Sequence, residues 1–276
     1  RIPVFSSPIL LPVSFLYIIY YYNASAEGWK DKIRSSLLLR REKGMGYNGR
    51  SKLQKTKRNR KGAATMKMTE RRDAGLAYIS DEEVLAEQKN CRRILQKLNF
   101  MDRWDFDGIA ETVKELLGKS EGAWINPPFY CDYGKNIEVG KNFFANYNCT
   151  ILDVAKVKIG DNCQMAPNTA IYTAGHPVYP TTRNTAYEYG KEVTIGDNVW
   201  IGGNTVICPG VHIGDNVVIG AGSVVTKDIP DWTIAAGNPC RVIRRITKED
   251  KRKLFRQEEI DEEAWEDIKQ KTGEEE

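Results

Sequence analysis

Histidine is nearly absent: His176 and His212 are the only two in 276 residues. The six cysteines, at positions 91, 131, 149, 163, 208 and 240, are scattered, and none forms a CxxC pair. Zinc sites and disulfide frameworks need clustered ligands, so this spacing argues against both, and no metal is expected. The cysteines read as reduced structural side chains in a cytoplasmic protein. Long apolar runs are also scarce. The one at residues 8–22, PILLPVSFLYIIYYY, is fifteen residues long and contains proline, short of the roughly 20 that a membrane helix needs.

A net positive charge is missing from most of the chain, although the total is +4. Residues 1–65 hold fourteen Lys and Arg against three acids, which leaves the remainder acidic. No nucleic-acid partner is expected for such a body, and no membrane partner unless the leader is real. The leader reads as sequence upstream of a start at Met66 or Met68. A targeting or anchor segment and a basic arm are the alternatives. A structureless tail is expected on each reading.

From about Thr69 the pattern becomes helical. Val84, Leu85, Ile94, Leu95 and Leu98 share one helical face, with Ser80 as N-cap and Glu83 completing a capping box. A second amphipathic stretch, Ile109 to Leu117, ends at Gly118. The helical module over 68–120 is too small to form its own core and must pack on something else.

What fills the rest is a count of six. From Val193 run VTIGDN, VWIGGN, TVICPG, VHIGDN, VVIGAG and SVVTKD. The same register covers Val157, Cys163 and Thr169. IEVGKN, FFANYN and CTILDV follow it after a two-residue offset at Ala155-Lys156. Period two with a bend at every sixth residue makes short strands with β-branched residues inward and Gly, Asn or Asp at corners. Three hexads close one coil of a parallel β-helix, and stacked coils bury a continuous column. The predicted fold is mainly β, a β-helix over 121–246, followed by a C-terminal helix and acidic tail over 247–276 that caps the column. One loop interrupts the count. Residues 175–192, GHPVYPTTRNTAYEYGKE, leave after Ala174 and return without slippage at Val193. An excursion on a rigid prism is where chemistry is usually housed.

The hexads, the AGHPV loop and the ending SVVTKDIPDWTIAAGNPCRVIRRI resemble the hexapeptide-repeat sugar O-acetyltransferases. FYCDYGKNIEVG, CTILDV, IYTAGHPV and the opening MTERRDAGLAY look most like the maltose O-acetyltransferase branch, with galactoside and nodulation-factor enzymes close behind. The resemblance covers roughly residues 68–246. It implies a left-handed parallel β-helix, a homotrimer with active sites between subunits, acetyl-CoA as co-substrate and a sugar such as maltose or glucose as acceptor. A different acceptor and a noncatalytic β-helix scaffold are the alternatives.

The resemblance also assigns residues. His176 sits where the family places its general base, which suits an imidazole that is neutral near pH 7. Asn146 matches the asparagine that stabilises the oxyanion and lies beside the cofactor. Asp132 and Asp153 match acceptor-side positions, although Val154 stands where the galactoside branch has a second aspartate. Gly203, Ala221, Thr226, Lys227, Arg241 and Arg244 match CoA contacts, with the cations answering phosphate. Trp200 flanks the pantetheine arm or serves the trimer contact. His212 reads as an ordinary coil residue.

Overall fold

A computed structural model describes residues 66–254 and 258–273. The leader over 1–65, with its apolar run, and the acidic residues 274–276 lie outside these. The hexad openings Val193, Val199, Thr205, Val211, Val217 and Ser223 are all buried, as are Ile195, Ile201, Ile207, Ile213 and Ile219 two positions on. Each hexad contributes a short strand, and strands of successive coils pair in parallel to make a three-faced prism. The first face carries Ile137–Lys141, Val157–Ile159 and Val193–Ile195. The second carries Phe144–Ala145, Gln164–Met165 and Trp200–Ile201. The third carries Cys149–Leu152, Ala170–Tyr172 and Val206–Ile207.

Register shows why the count survives interruption. Above the loop, Thr194 pairs with His212 and Trp200 with Val218, eighteen residues or three hexads apart. Val193 pairs with Val157 across the loop, so the coil absorbs the excursion as whole hexads. In the lower coils the separation is twenty, as in Ile137 with Val157 and Phe129 with Cys149. The two extra residues fall each time after a third-face strand. The offset at Ala155-Lys156 and the loop therefore share one corner.

Polar side chains form ladders along a different corner, between the first and second faces. Asn142, Asn162, Asn198 and Asn216 all adopt positive φ near 55°, a conformation asparagine tolerates because its amide bonds locally. The first three each donate from Nδ2 to the Oδ1 of the next, at 2.9–3.0 Å. Asp161, Asp197, Asp215 and Asp231 each accept one backbone N–H from the coil below. That approach explains the glycine beneath each aspartate, Gly140, Gly160, Gly196 and Gly214 in turn: a Cβ at Gly196 would stand 2.1 Å from Asp215 Oδ1. Two of the hydroxyls inside the prism are satisfied by backbone carbonyls, Thr169 donating to Ala166 O and Thr233 to Pro230 O, both at 2.7 Å.

The helical module closes the lower end. Helices α1 (Met68–Asp73), α2 (Glu82–Asn99) and α3 (Phe106–Leu116) precede the prism. Cys91, Ile94, Leu95 and Leu98 of α2 and Ile109, Val113 and Leu116 of α3 join the same apolar core as the coils. Two expectations are corrected and a third holds. Asp81, not Ser80, caps α2, its carboxylate accepting from Val84 N at 3.0 Å, because the Ser80 hydroxyl is committed to Glu188. Leu85 is half exposed rather than in the core. The helix α3 ends as expected before Gly118, with Leu117 as its C-cap. Gly118 opens the first strand region, where a Cβ would meet the Lys135 carbonyl at 2.0 Å.

At the upper end Arg241–Arg245 adds antiparallel to Thr233–Ala236. Beyond it Lys253 bridges Glu259, and Arg252 binds Glu262 and stacks over Trp265 of helix Glu262–Thr272. No helix among the described residues is long and apolar enough to cross a membrane.

Candidate active site

The loop leaves the prism through a tightly fixed base. Thr173 is buried, and its hydroxyl donates to Leu152 O at 2.7 Å and accepts from Ala155 N at 2.9 Å. Ala174–Gly175 then pairs antiparallel with Tyr189–Gly190. Gly175 is required there because the Tyr189 ring crosses it, 2.7 Å from where a Cβ would lie. His176 follows at once and is exposed. Further out, Arg183 closes the tip by donating to Val178 O at 2.9 Å. On the return arm Glu188 exchanges both backbone hydrogen bonds with Tyr78, at 3.0 Å each. The helical module thus braces the arm that faces His176.

Carboxyls gather at the same corner. Asp132 and Asp153 follow third-face strands of successive coils, and Asp153 Oδ1 accepts from Asp132 N and Tyr133 N, both at 2.9 Å. Asp153 is wholly buried, so the structure does not offer it to an acceptor directly. Asp132 is partly open. Burial, then Asp153, then Glu188 push its carboxyl up to about 6, against a smaller opposing pull from Arg92. Glu188 is the residue sequence reasoning missed. It lies 56 positions from Asp132, and only the return of the loop brings the two together.

Asn146 lies elsewhere. It follows the second-face strand Phe144–Ala145, at the corner between the second and third faces. It is not the corner turn itself: Asn148 takes the left-handed conformation, at φ 61°. Asn146 Oδ1 accepts from Tyr147 N at 2.8 Å, which leaves Nδ2 as its outward donor. Gly203 and Ala221 sit at this corner two and three coils higher, a stripe of small residues. Thr226 and Lys227 return to the loop's corner. One chain therefore separates the predicted residues into two groups, with the third face between them.

The cations divide as well. Lys227 is exposed, and Arg241 donates only to Cys240 O, at 2.8 Å. Arg244 is engaged, its guanidinium gripping Asp250 through two bonds of 2.7 and 2.8 Å. That fork holds the segment after the last strand, so Arg244 is not open to phosphate in the way Arg241 is. Trp200 points outward from the second face, 56% exposed. His212 bonds Thr194 Oγ1 at 2.6 Å on the first face, as a coil residue would. A cleft of about 470 Å³ opens behind the loop base, lined in part by Arg72, Asn136, Lys156 and Lys191, and none of the predicted residues lines it.

A sequence profile described as bacterial transferase hexapeptide (six repeats) matches residues 192–227. The galactoside O-acetyltransferase of Escherichia coli strain K12 is 44% identical over 198 residues, 71% of this chain and 98% of that protein. The chain belongs to the galactoside and maltose O-acetyltransferase family. A maltose O-acetyltransferase from Clostridium difficile 630 has a solved structure that superposes with a TM-score of 0.65 at 48% identity, covering 66% of this chain and 99% of that one. A galactoside acetyltransferase in complex with coenzyme A gives a TM-score of 0.69 at 43% identity, over 71% of this chain and all of that one. This acetyltransferase thus covers nearly the whole of both solved structures.

Proposed function

We propose that the protein moves acetyl from acetyl-CoA to a sugar hydroxyl, using His176 as general base, within a homotrimer. An alcohol is a weak nucleophile at neutral pH, so its proton must leave as it attacks the thioester carbonyl. The exposed imidazole of His176, on an arm braced by Tyr78 and Glu188, takes that proton and returns it to the CoA thiolate. The tetrahedral intermediate carries an oxyanion, for which the outward amide of Asn146 is the donor. Asp132 and Glu188 present carboxyl oxygens to acceptor hydroxyls beside His176. The pantetheine arm lies along the small residues Gly203 and Ala221, with Lys227 and Arg241 meeting phosphates.

The observation that carries this reading is the division between corners. His176 with Asp132 occupies one corner of the third face, and Asn146 with Gly203 occupies the other. The two halves form one site if the loop corner of one subunit meets the Asn146 corner of a neighbour. The faces support such packing. Glu138, Lys158, Thr194 and His212 give the first face a polar exterior, whereas Phe144, Trp200 and Val218 on the second and Val206 and Val224 on the third are apolar outward positions. Apolar exteriors of this kind favour burial against a second copy. The test is release of free CoA thiol from acetyl-CoA across a panel of sugars. Thiol release that depends on a sugar supports the reading, and release indifferent to every sugar contradicts it.

A further inference from the structure

Asp153 has a geometry that no other described corner aspartate shares. Asp197 and Asp215 are exposed and each accepts a single backbone N–H through Oδ1, from Asp161 and Asp197 respectively. Asp153 is fully buried, and its Oδ1 accepts two successive N–H groups, those of Asp132 and Tyr133. Its own carbonyl accepts from Asn136 Nδ2 at 2.7 Å. Its second oxygen, Oδ2, is equally buried and has no partner. Stability alone does not call for a carboxyl here. An asparagine would keep the Oδ1 acceptor without burying a charge, and an unpaired buried charge is costly.

We infer that Asp153 is a positioning residue for the acceptor side of the site: it fixes the Asp132–Tyr133 corner through two N–H groups and sets a second carboxyl behind Asp132. This rests on the reading that the acceptor docks against Asp132. The groups facing Asp132 are Asp153 from the next coil, Glu188 from the loop and Arg92 from α2. Those facing Asp153 are Asp132, Tyr133 and Asn136 from the coil below, with the Cys131 thiol alongside. Carboxyls repel when both ionise, so Asp153 holds a proton on Asp132 to higher pH than Asp132 would keep alone. The corner's geometry and its protonation are thus set by one side chain that an acceptor never touches.

The test is the variant Asp153→Asn, with Asp132→Asn as its companion. Asp153→Ala, which removes the Oδ1 acceptor, raises the acceptor KM by roughly tenfold, since small displacements of positioning groups are costly, while the acetyl-CoA KM stays put; Asp153→Asn keeps that acceptor and isolates the charge. The acid limb of kcat/KM for the acceptor moves to lower pH, because Asp132 has lost a neighbouring carboxyl. A merely structural role would leave that limb in place. Carbon-13 titration of the two carboxyls in the unsubstituted protein gives a second measure that needs no variant to fold: the inference expects each to shift as the other titrates, and independent curves overturn it. If Asp132→Asn raises the acceptor KM but Asp153→Asn leaves the acid limb unmoved, the inference fails alone. If Asp132→Asn leaves the acceptor KM unchanged, the acceptor reading fails and takes the inference with it.

Discussion

Tyr78 and Glu188, 110 positions apart, exchange both backbone hydrogen bonds at 3.0 Å. Through this bridge the helical module holds the return arm of the loop that carries His176. Tyr78→Pro removes one donor of the bridge together with a ring buried in a cluster with Tyr133 and Val154. Turnover should fall by roughly tenfold or more, as misplacement of a catalytic group costs, and amide exchange over 174–190 should quicken. Unchanged exchange in that loop would show that the module does not brace it.

His176→Ala should lower turnover by ~10²–10⁴-fold, the usual contribution of a general base, with the acetyl-CoA KM little changed. His212→Ala should behave as the parent does, since that ring is occupied by Thr194 on the polar face. Steady-state kinetics of both variants would check this, and full activity in His176→Ala would remove the mechanism.

Lys227→Ala and Arg241→Ala should raise the acetyl-CoA KM more than they lower kcat, because CoA phosphates are remote from the bond being broken. The penalty should shrink with acetyl-pantetheine, which lacks those phosphates. Arg244→Ala should differ. Its guanidinium is held by Asp250, so the loss should appear in thermal unfolding before it appears in KM. An Arg244→Ala effect confined to KM would reverse that assignment.

Asp132 carries a stability cost whose sign is fixed by its environment. Its carboxyl is raised from the ordinary 3.8 to about 6, so the folded state binds the proton more tightly than the unfolded chain does. The stabilisation is fully present below about pH 4 and is lost as pH rises through about 6. Asp132→Asn should therefore unfold later at neutral pH, by about 1–3 kcal/mol after allowance for partial exposure. The gain should vanish near pH 4. Denaturant titrations at the two pH values check it, and equal gains at both would contradict it.

The prism was legible because its rule is local. A small or β-branched residue every sixth position and a Gly, Asn or Asp at the turn dictate the coil regardless of what surrounds it, and the hexads from Val193 to Ser223 keep that beat. The start of α2 was less legible. Ser80 and Asp81 are both good caps, and the choice between them depends on Glu188, a residue far along the chain. The same distance hid Glu188 from the site. Asp153 was visible as a corner residue, but its burial follows from Tyr133 and Asn136 closing over it. Arg244 read as a free cation until Asp250 was seen to hold it.

The central claim is that His176 of one subunit and Asn146 of its neighbour make one site, and subunit mixing tests it most directly. His176→Ala and Asn146→Ala proteins should each be nearly inactive. Unfolded together in equal amounts and refolded, they should form, in the proposed trimer, hybrids in which one junction in three joins an intact His176 to an intact Asn146. Random assembly should restore about a quarter of the parent activity, by the counting that cyclic symmetry imposes. A mixture no more active than its two components would place both residues in the same subunit's site, against the account given by the two corners.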